Sequence, residues 1–545
     1  MKKLIVLGAC AVMLLASALR AETSPFKIRG IKGLWWEGME NYRLALPWAA
    51  QHNMNFLMFC YTSFPASGKD WRAAYSDDEL RDFAELAKQS EKLKVNLCLS
   101  FNPGIWSKPP LVYSNEEDFE IALKKVQAVH ARGINWFALC LDDIGRKLEP
   151  ADEQQFQTLQ KAQGQFVNRL WGVMKNMQPK PVLIFCPSAY TTQDAEKHQD
   201  YIKTVGEEID REVMMFWTGP LVCSPTITAS DAKKFGGWIR RKPVVWDNYP
   251  VNDMFPWRPL VAPVKGRSSD LANEVEGVMA NPMKQWQASK LPLATLASYL
   301  NDPAHYKASN AMEAAIAEYP ADDREALSAL INVYGTAFLG ERSYPPQPGK
   351  VTGNAGKFQQ ARYEKLKTAL GENKNLAPLW ADIQPTLDED LRKIRKWTRD
   401  RKTESPLVAD GDDFAGGAGD VHGFSRYGKD VNYVYAQATK RSEMHATFYA
   451  PADYNGAAKL VVSGRDDDSG KKLKIRIAVN EKVVFAGESP FESKDFVTKT
   501  FEVKGDVIEG GENVVSIRNL EAKGTMGSPP WFMVSEVKME LEERK

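Results

Sequence analysis

The chain has 545 residues, with 71 Lys and Arg against 70 Asp and Glu. That length suggests roughly three to four domains, and a net charge near zero argues against nucleic acid or an acidic membrane surface as a partner. The 15 Trp and 18 Tyr are many; aromatic faces suit sugar rings, although large cores use them as well.

Met1-Lys2-Lys3 is a basic start, and Leu4 to Leu19 is an apolar stretch too short to span a bilayer. Leu19-Arg20-Ala21 offers a small residue before a cut. Residues 1–21 therefore read as a secretory signal peptide, and the mature protein is expected to be exported, periplasmic or extracellular, with no membrane span. Leu7-Gly8-Ala9-Cys10 resembles a lipoprotein box but falls too early in the apolar stretch. Cleavage removes Cys10 and leaves Cys60, Cys98, Cys140, Cys186 and Cys223. An odd count excludes a complete disulfide framework. Four of these end apolar runs and read as buried free thiols. With no Cys-x-x-Cys and only 6 scattered His, no metal site is expected.

Candidate strands follow at Ile28–Trp36, Asn55–Tyr61, Lys94–Phe101, Asn135–Asp143, Pro181–Pro187, Val213–Pro220, Pro243–Tyr249 and Leu291–Tyr299. Helical patterns lie between several of them, such as Leu80, Phe83 and Leu86. Eight strand–helix units predict a (β/α)8 barrel over 22–303. A doubly wound open sheet competes, but no Gly-x-Gly-x-x-Gly follows the first strand. From 304 to 405 the pattern turns helical, with Leu387, Leu391 and Ile394 at helical spacing and a break at Pro345, Pro346 and Pro348. From 406 to 545 short alternating stretches such as Leu473, Ile475, Ile477 and Val479 predict an antiparallel β-sandwich. Gly510-Gly511-Glu512-Asn513 reads as a hairpin-type turn. This module is either carbohydrate-binding or a structural addition. Asp466-Asp467-Asp468-Ser469-Gly470 reads as an acidic surface turn, with calcium as the competing reading.

Chemistry concentrates at strand ends. Trp136-Phe137-Ala138-Leu139-Cys140-Leu141 runs straight into Asp142-Asp143. Such a run suits a strand buried on both faces, and its C-terminal end faces the mouth where barrels keep their chemistry. Adjacent carboxylates repel, which parts their pKa values into a proton donor and a permanent acceptor. Acid–base work on a sugar needs that pair. Alone, an Asp-Asp dipeptide is more often a turn or a helix cap. The other strand ends add weight: Cys186-Pro187-Ser188-Ala189-Tyr190, Trp217-Thr218-Gly219-Pro220, Trp246-Asp247-Asn248 with Asn252-Asp253, Gly266-Arg267-Ser268 and Asn281-Pro282.

In this order, these pieces resemble glycoside hydrolase family 84, the β-N-acetylglucosaminidases that include the protein O-GlcNAcases. The resemblance runs from about Gly30 to Tyr299. It implies substrate-assisted hydrolysis with retention, in which the sugar's own 2-acetamido oxygen attacks the anomeric carbon to give an oxazoline. It implies that Asp142 orients the acetamido group and stays ionised, and that Asp143 is the general acid and then the base. Tyr190, Asn248 and Trp246 match residues around the acetamido group, Asp253 and Asn281 match residues that grip the distal hydroxyls, and Gly33 matches a backbone contact. The implied partner is a glycan or glycoprotein carrying β-linked N-acetylhexosamine, and no cofactor is required.

The chain also departs from the family pattern. A lysine usual after the second strand is replaced by Thr62 in Cys60-Tyr61-Thr62-Ser63-Phe64, with Lys69 nearby. The first-strand motif Glu-Gly-Phe-Tyr-Gly reads Lys32-Gly33-Leu34-Trp35-Trp36, and Met254 stands where an aromatic is common. These changes lie on the sugar-gripping side and point to a kept reaction with a shifted substrate. Two other readings stay open: a glycan-binding protein without turnover, and an endo-acting, hyaluronidase-like enzyme.

Overall fold

The computed structural model describes residues 24–542 except 108, 254–257, 336–352, 400–404, 411–412, 418–430, 452 and 468–469. The expected signal peptide, Met254, the proline cluster at 345–348 and the middle of the Asp466–Gly470 turn lie outside the described residues. The chain divides into two compact units, 1–253 with 259–342, and 254–258 with 343–545.

The first unit is a closed parallel barrel of eight strands in sequential order. They are β1 (Ile28–Gly33), β2 (Phe56–Phe59), β3 (Asn96–Phe101), β4 (Trp136–Cys140), β5 (Val182–Cys186), β6 (Met214–Trp217), β7 (Val244–Asp247) and β8 (Gly277–Ala280). β8 closes onto β1 with Ile28 opposite Gly277. The interior is filled by side chains, among them Ile28, Phe56, Met58, Cys98, Ile184, Phe216, Val244 and Met279. It is a packed core, not a pore.

Local rules explain the surrounding helices. Asp77–Leu93 opens with a reciprocal cap, Ser76 Oγ accepting from Glu79 N while the Glu79 carboxylate accepts from Ser76 N. Phe83, Leu86, Ala87 and Ser90 form its buried face, and Lys94 ends it in the left-handed region.

Seven strands fall within their expected segments and the eighth does not. Leu291–Tyr299 lies in the helix Trp286–Asn301, where residues on nearly every side are buried. A helix buried all round shows no amphipathic period and reads like a strand-type apolar run. The true eighth strand, Gly277-Val278-Met279-Ala280, has four residues and opens on a glycine. That glycine is required, since a Cβ on Gly277 would sit 2.1 Å from Ile28 O.

The second unit holds the helices Gly353–Gly371 and Ala377–Arg399 and two antiparallel sheets. Its strands are β9 (Leu407–Asp410), β10 (Phe414–Gly416), β11 (Asn432–Tyr435), β12 (Glu443–Ala450), β13 (Ala458–Asp466), β14 (Lys474–Val479), β15 (Lys482–Glu488), β16 (Val497–Val503), β17 (Gly511–Asn519) and β18 (Trp531–Leu541). One sheet runs β10-β12-β17-β14-β15; the other runs β11-β18-β13-β16, with β9 also paired to β18. Ile475, Ile477 and Val479 face the buried layer as their alternation requires. Gly510–Asn513 is not a hairpin turn, because β16 pairs with β13 while β17 pairs with β12 and β14. The tight hairpin joins β14 to β15 through Asn480 and Glu481, both at positive φ (49° and 65°). Two left-handed residues match the twist of the strands they join. Asp466 and Asp467 are buried, and Asp467 Oδ2 accepts from Trp531 N at 3.2 Å.

Candidate active site

β4 ends at Cys140, and Leu141 N still bonds to Cys186 O at 2.9 Å. Ser188 Oγ donates to Leu141 O at 2.7 Å, and Gln163 Nε2 donates to Ser188 Oγ at 3.0 Å. This buried network fixes the strand end before the two aspartates. Asp143 then takes the left-handed conformation, φ 53°. Aspartate tolerates that region better than most residues, and strain of this kind gathers at functional sites.

The two carboxylates thus occupy different surroundings. Asp142 is buried at 5% exposure, whereas Asp143 is exposed. Asp142 Oδ2 accepts from Tyr61 OH at 2.8 Å, and Asn102 Nδ2 donates to Asp142 O at 3.1 Å. Asp143 Oδ1 accepts from Tyr190 OH at 2.8 Å. Burial pushes the Asp142 carboxyl up to about 6; Lys32 pulls it down, Asp143 pushes it up and the Tyr61 hydrogen bond pulls it down. The rise therefore falls on the residue expected to stay ionised. At neutral pH a carboxyl titrating near 6 is still mostly anionic. Its carboxylate is also poorly solvated, so it gains most from a donor brought by a ligand.

The remaining expected residues lie at the C-terminal ends of other strands. Asn248, just past β7, donates from Nδ2 to Val222 O at 2.8 Å and accepts at Oδ1 from Asn281 Nδ2 at 2.9 Å. Asn281 Oδ1 is buried without a hydrogen-bond partner, as is Trp246 Nε1. Asp253 Oδ2 accepts from Trp35 Nε1 at 3.2 Å. Gly33 admits no side chain, since a Cβ would lie 2.4 Å from Tyr42 OH. Its carbonyl already accepts from Tyr42 OH at 2.9 Å and Ser63 Oγ at 3.1 Å. Arg267 clamps Asp247 with Nε–Oδ2 at 2.8 Å and Nη2–Oδ1 at 2.5 Å, which holds the end of β7. The Gly-Arg-Ser segment is thus tied to the strand that carries Trp246 and Asn248.

Sequence reasoning missed Tyr61, Asn102 and the place of Lys32. Tyr61 and Asn102 follow apolar strand runs, the same signal that singled out Tyr190. At Thr62, Oγ1 accepts from Trp35 N at 3.1 Å and donates to Cys60 Sγ at 3.1 Å. Lys69 is exposed; the lysine that acts on Asp142 is Lys32 of β1. On the rim, Trp35 and Trp106 approach at 5.9 Å between ring centroids, and Trp106 is 55% exposed.

A barrel that gathers carboxylates, tyrosines and amides at the C-terminal ends of its strands has the architecture of a barrel glycosidase. Comparison with known sequences narrows that class. A profile of the beta-N-acetylglucosaminidase family matches residues 28–332, more than half of the chain, and the protein belongs to that family of glycoside hydrolases. The chain is similar to Protein O-GlcNAcase of Rattus norvegicus and of Mus musculus, 28% identical to each over 232 residues. That match covers 42% of this chain and 25% of either relative, so the chain spans about a quarter of their length. A solved mutant of the Thermobaculum terrenum O-GlcNAc hydrolase shares the fold, with a TM-score of 0.61 at 23% identity. The superposition covers 68% of this chain and 83% of that one.

Proposed function

We propose that the protein is an exported retaining β-N-acetylhexosaminidase that hydrolyses its substrate with the help of the substrate's own acetamido group. The observation that carries this reading is the division of labour between two adjacent carboxylates. Asp142 is buried and held by Tyr61 and Asn102; Asp143 is exposed and meets Tyr190.

In the first step the acetamido carbonyl oxygen attacks the anomeric carbon, and the glycosidic C–O bond breaks. Asp143 gives its proton to the leaving oxygen. Asp142 accepts the acetamido N–H, and its anion stabilises the positive charge that develops there. In the second step Asp143 takes a proton from water, which attacks the anomeric carbon and opens the oxazoline. Two displacements retain the configuration. Tyr190 lies at the acid–base carboxylate, Asn248 and Trp246 bound the acetamido side, and Asp253 and Asn281 meet the distal hydroxyls. Gly33 lets Trp36 and Tyr42 pack closely against the end of β1, and its carbonyl is used within the fold. The chemistry needs no cofactor. The substrate class is a glycan or glycoprotein carrying β-linked N-acetylhexosamine, and the basic and apolar composition of residues 1–21 supports export.

The deciding experiment is hydrolysis of an aryl β-N-acetylglucosaminide, beside its galacto epimer and the N-deacetylated sugar. Turnover that requires the acetamido group supports the proposal. Silence on all three removes it and leaves a glycan-binding protein or an endo-acting enzyme.

A further inference from the structure

We propose that Lys32 is a positioning residue for Asp142: its buried ammonium keeps that carboxylate anionic and holds the Trp246 wall of the pocket in place. The inference rests on the role given to Asp142 above.

Lys32 lies on β1 opposite Met58 of β2. Strand alternation puts it on the same face as Ile28, which belongs to the barrel interior. The side chain is 0% exposed, and Nζ has no hydrogen-bond partner. A buried ammonium without such a partner is strongly unfavourable unless charge or a π-face compensates it. Both are present. Nζ stands 3.4 Å from the centroid of the Trp246 ring and 4.8 Å from that of Tyr61. A desolvated cation over tryptophan is the strongest form of this contact. Trp246 is held from another direction by Phe216, edge to face at 5.4 Å.

Tyr61 links this ammonium to the Asp142 charge: its ring centroid lies 4.8 Å from Lys32 Nζ and its hydroxyl donates to Asp142 Oδ2 at 2.8 Å. The groups that act on it come from several strands: Lys32 from β1, Tyr61 beyond β2, Asn102 beyond β3, and Cys140 and Asp143 along β4 and its end. Cys186 and Tyr190 act from β5 and its end. Asp143 raises the Asp142 carboxyl, Lys32 and the Tyr61 hydroxyl oppose the rise, and Lys32 is the stronger of these two. Tyr61 therefore serves twice, donating its hydroxyl to Asp142 and its ring face to Lys32. The ammonium is enclosed, so it acts through Asp142 and Trp246 without meeting substrate.

The test uses thermal midpoints across pH for the unmodified protein, Asp142→Asn, Lys32→Met and the double variant. At either residue 32, the difference between the protein with Asp142 and its Asp142→Asn variant titrates with the Asp142 carboxyl, whether or not the protein turns over. With Lys32 present the difference is expected to grow above the ordinary 3.8 and level off near 6. In Lys32→Met, which keeps volume, it is expected to level off about one pH unit or more higher. Lys32→Arg keeps the charge and should leave the titration near that of the unmodified protein. The acid limb of kcat/KM should move with it. An unchanged titration in folded Lys32→Met overturns the proposal. Should that variant not fold, Lys32→Gln carries the same expectation and the same refutation. A shifted stability titration in a protein with no turnover would keep the pairing and remove the catalytic reading instead.

Discussion

The two sides of the barrel mouth differ in how their polar atoms are paired. On the β4–β5 side, the Asp142 and Asp143 carboxylates and the Leu141 carbonyl each meet a side-chain donor from Tyr61, Tyr190 or Ser188. Toward β7 and β8, Trp246 Nε1 and Asn281 Oδ1 are buried without hydrogen-bond partners. An unpaired buried polar atom carries a desolvation cost of about 1–3 kcal/mol. The β4–β5 side is thus assembled before any ligand arrives. The opposite side stands in a less favourable state that a polar ligand can relieve. Fixed donors speed chemistry, and unsatisfied ones select what binds.

The comparison can be broken on either side. The largest effect belongs to Asp143→Asn, which should lower turnover by about 10²–10⁴-fold with a poor leaving group and far less with an activated aryl group. Equal losses on both substrates would remove Asp143 from the acid role. Next comes Asp142→Asn, expected to stabilise the fold by up to roughly 2–3 kcal/mol at pH 7 while abolishing most activity. The sign follows from the raised carboxyl, about 6 in the fold against an ordinary 3.8. Ionised Asp142 costs stability in full above 6 and not at all below 3.8, so the gain should vanish in acid. Chemical denaturation in acid, below the ordinary carboxyl range, and again at neutral pH checks it, and a gain equal under both conditions would contradict the shift.

Tyr61→Phe should cost about 1–2 kcal/mol of stability. It should also move the acid limb of kcat/KM upward, because the lost hydrogen bond favoured the anion. A downward move would show that Tyr61 does not act on Asp142. The smallest expected change in activity is that of Trp246→Phe. It keeps a smaller, weaker ring over Lys32 and leaves a gap in the buried cluster, so the free protein should lose about 1–3 kcal/mol. KM should rise a few-fold, because the N–H without a partner is what a ligand would meet. An unchanged KM would take Trp246 out of the binding side.

Much of this was legible in the sequence because barrel strands and their ends speak in different residue types. Apolar runs such as Trp136–Leu141 break abruptly into carboxylates, and Pro181–Pro187 breaks into Ser188 and Tyr190. The glycine-led β8 lacked such a run, and the fully buried helix Trp286–Asn301 imitated one. In the second unit the alternation of Ile475, Ile477 and Val479 was readable. The Gly510-Gly511 turn misled because turn residues do not say which strand comes next alongside. At the site, Lys32 stood in plain view as a departure from a motif. Its meaning depends on the register of β1 against β2 and β8 and on the ring of Trp246, which no local pattern encodes. Tyr61 was overlooked for the same reason: its hydroxyl reaches across two strands to Asp142.

Cys60, Cys98, Cys140 and Cys186 lie on or just past neighbouring strands, buried and free within the barrel interior. Burial pushes the thiols of Cys98, Cys140 and Cys186 well above their usual range. The thiolate is the reactive form, so these sulfurs are shielded both sterically and chemically while the strands stay closed. Their modification by an alkylating reagent then requires the barrel to open. The rate at which the four become labelled is a built-in clock for that opening, readable by mass without an engineered label, and it should slow when a ligand holds the barrel closed.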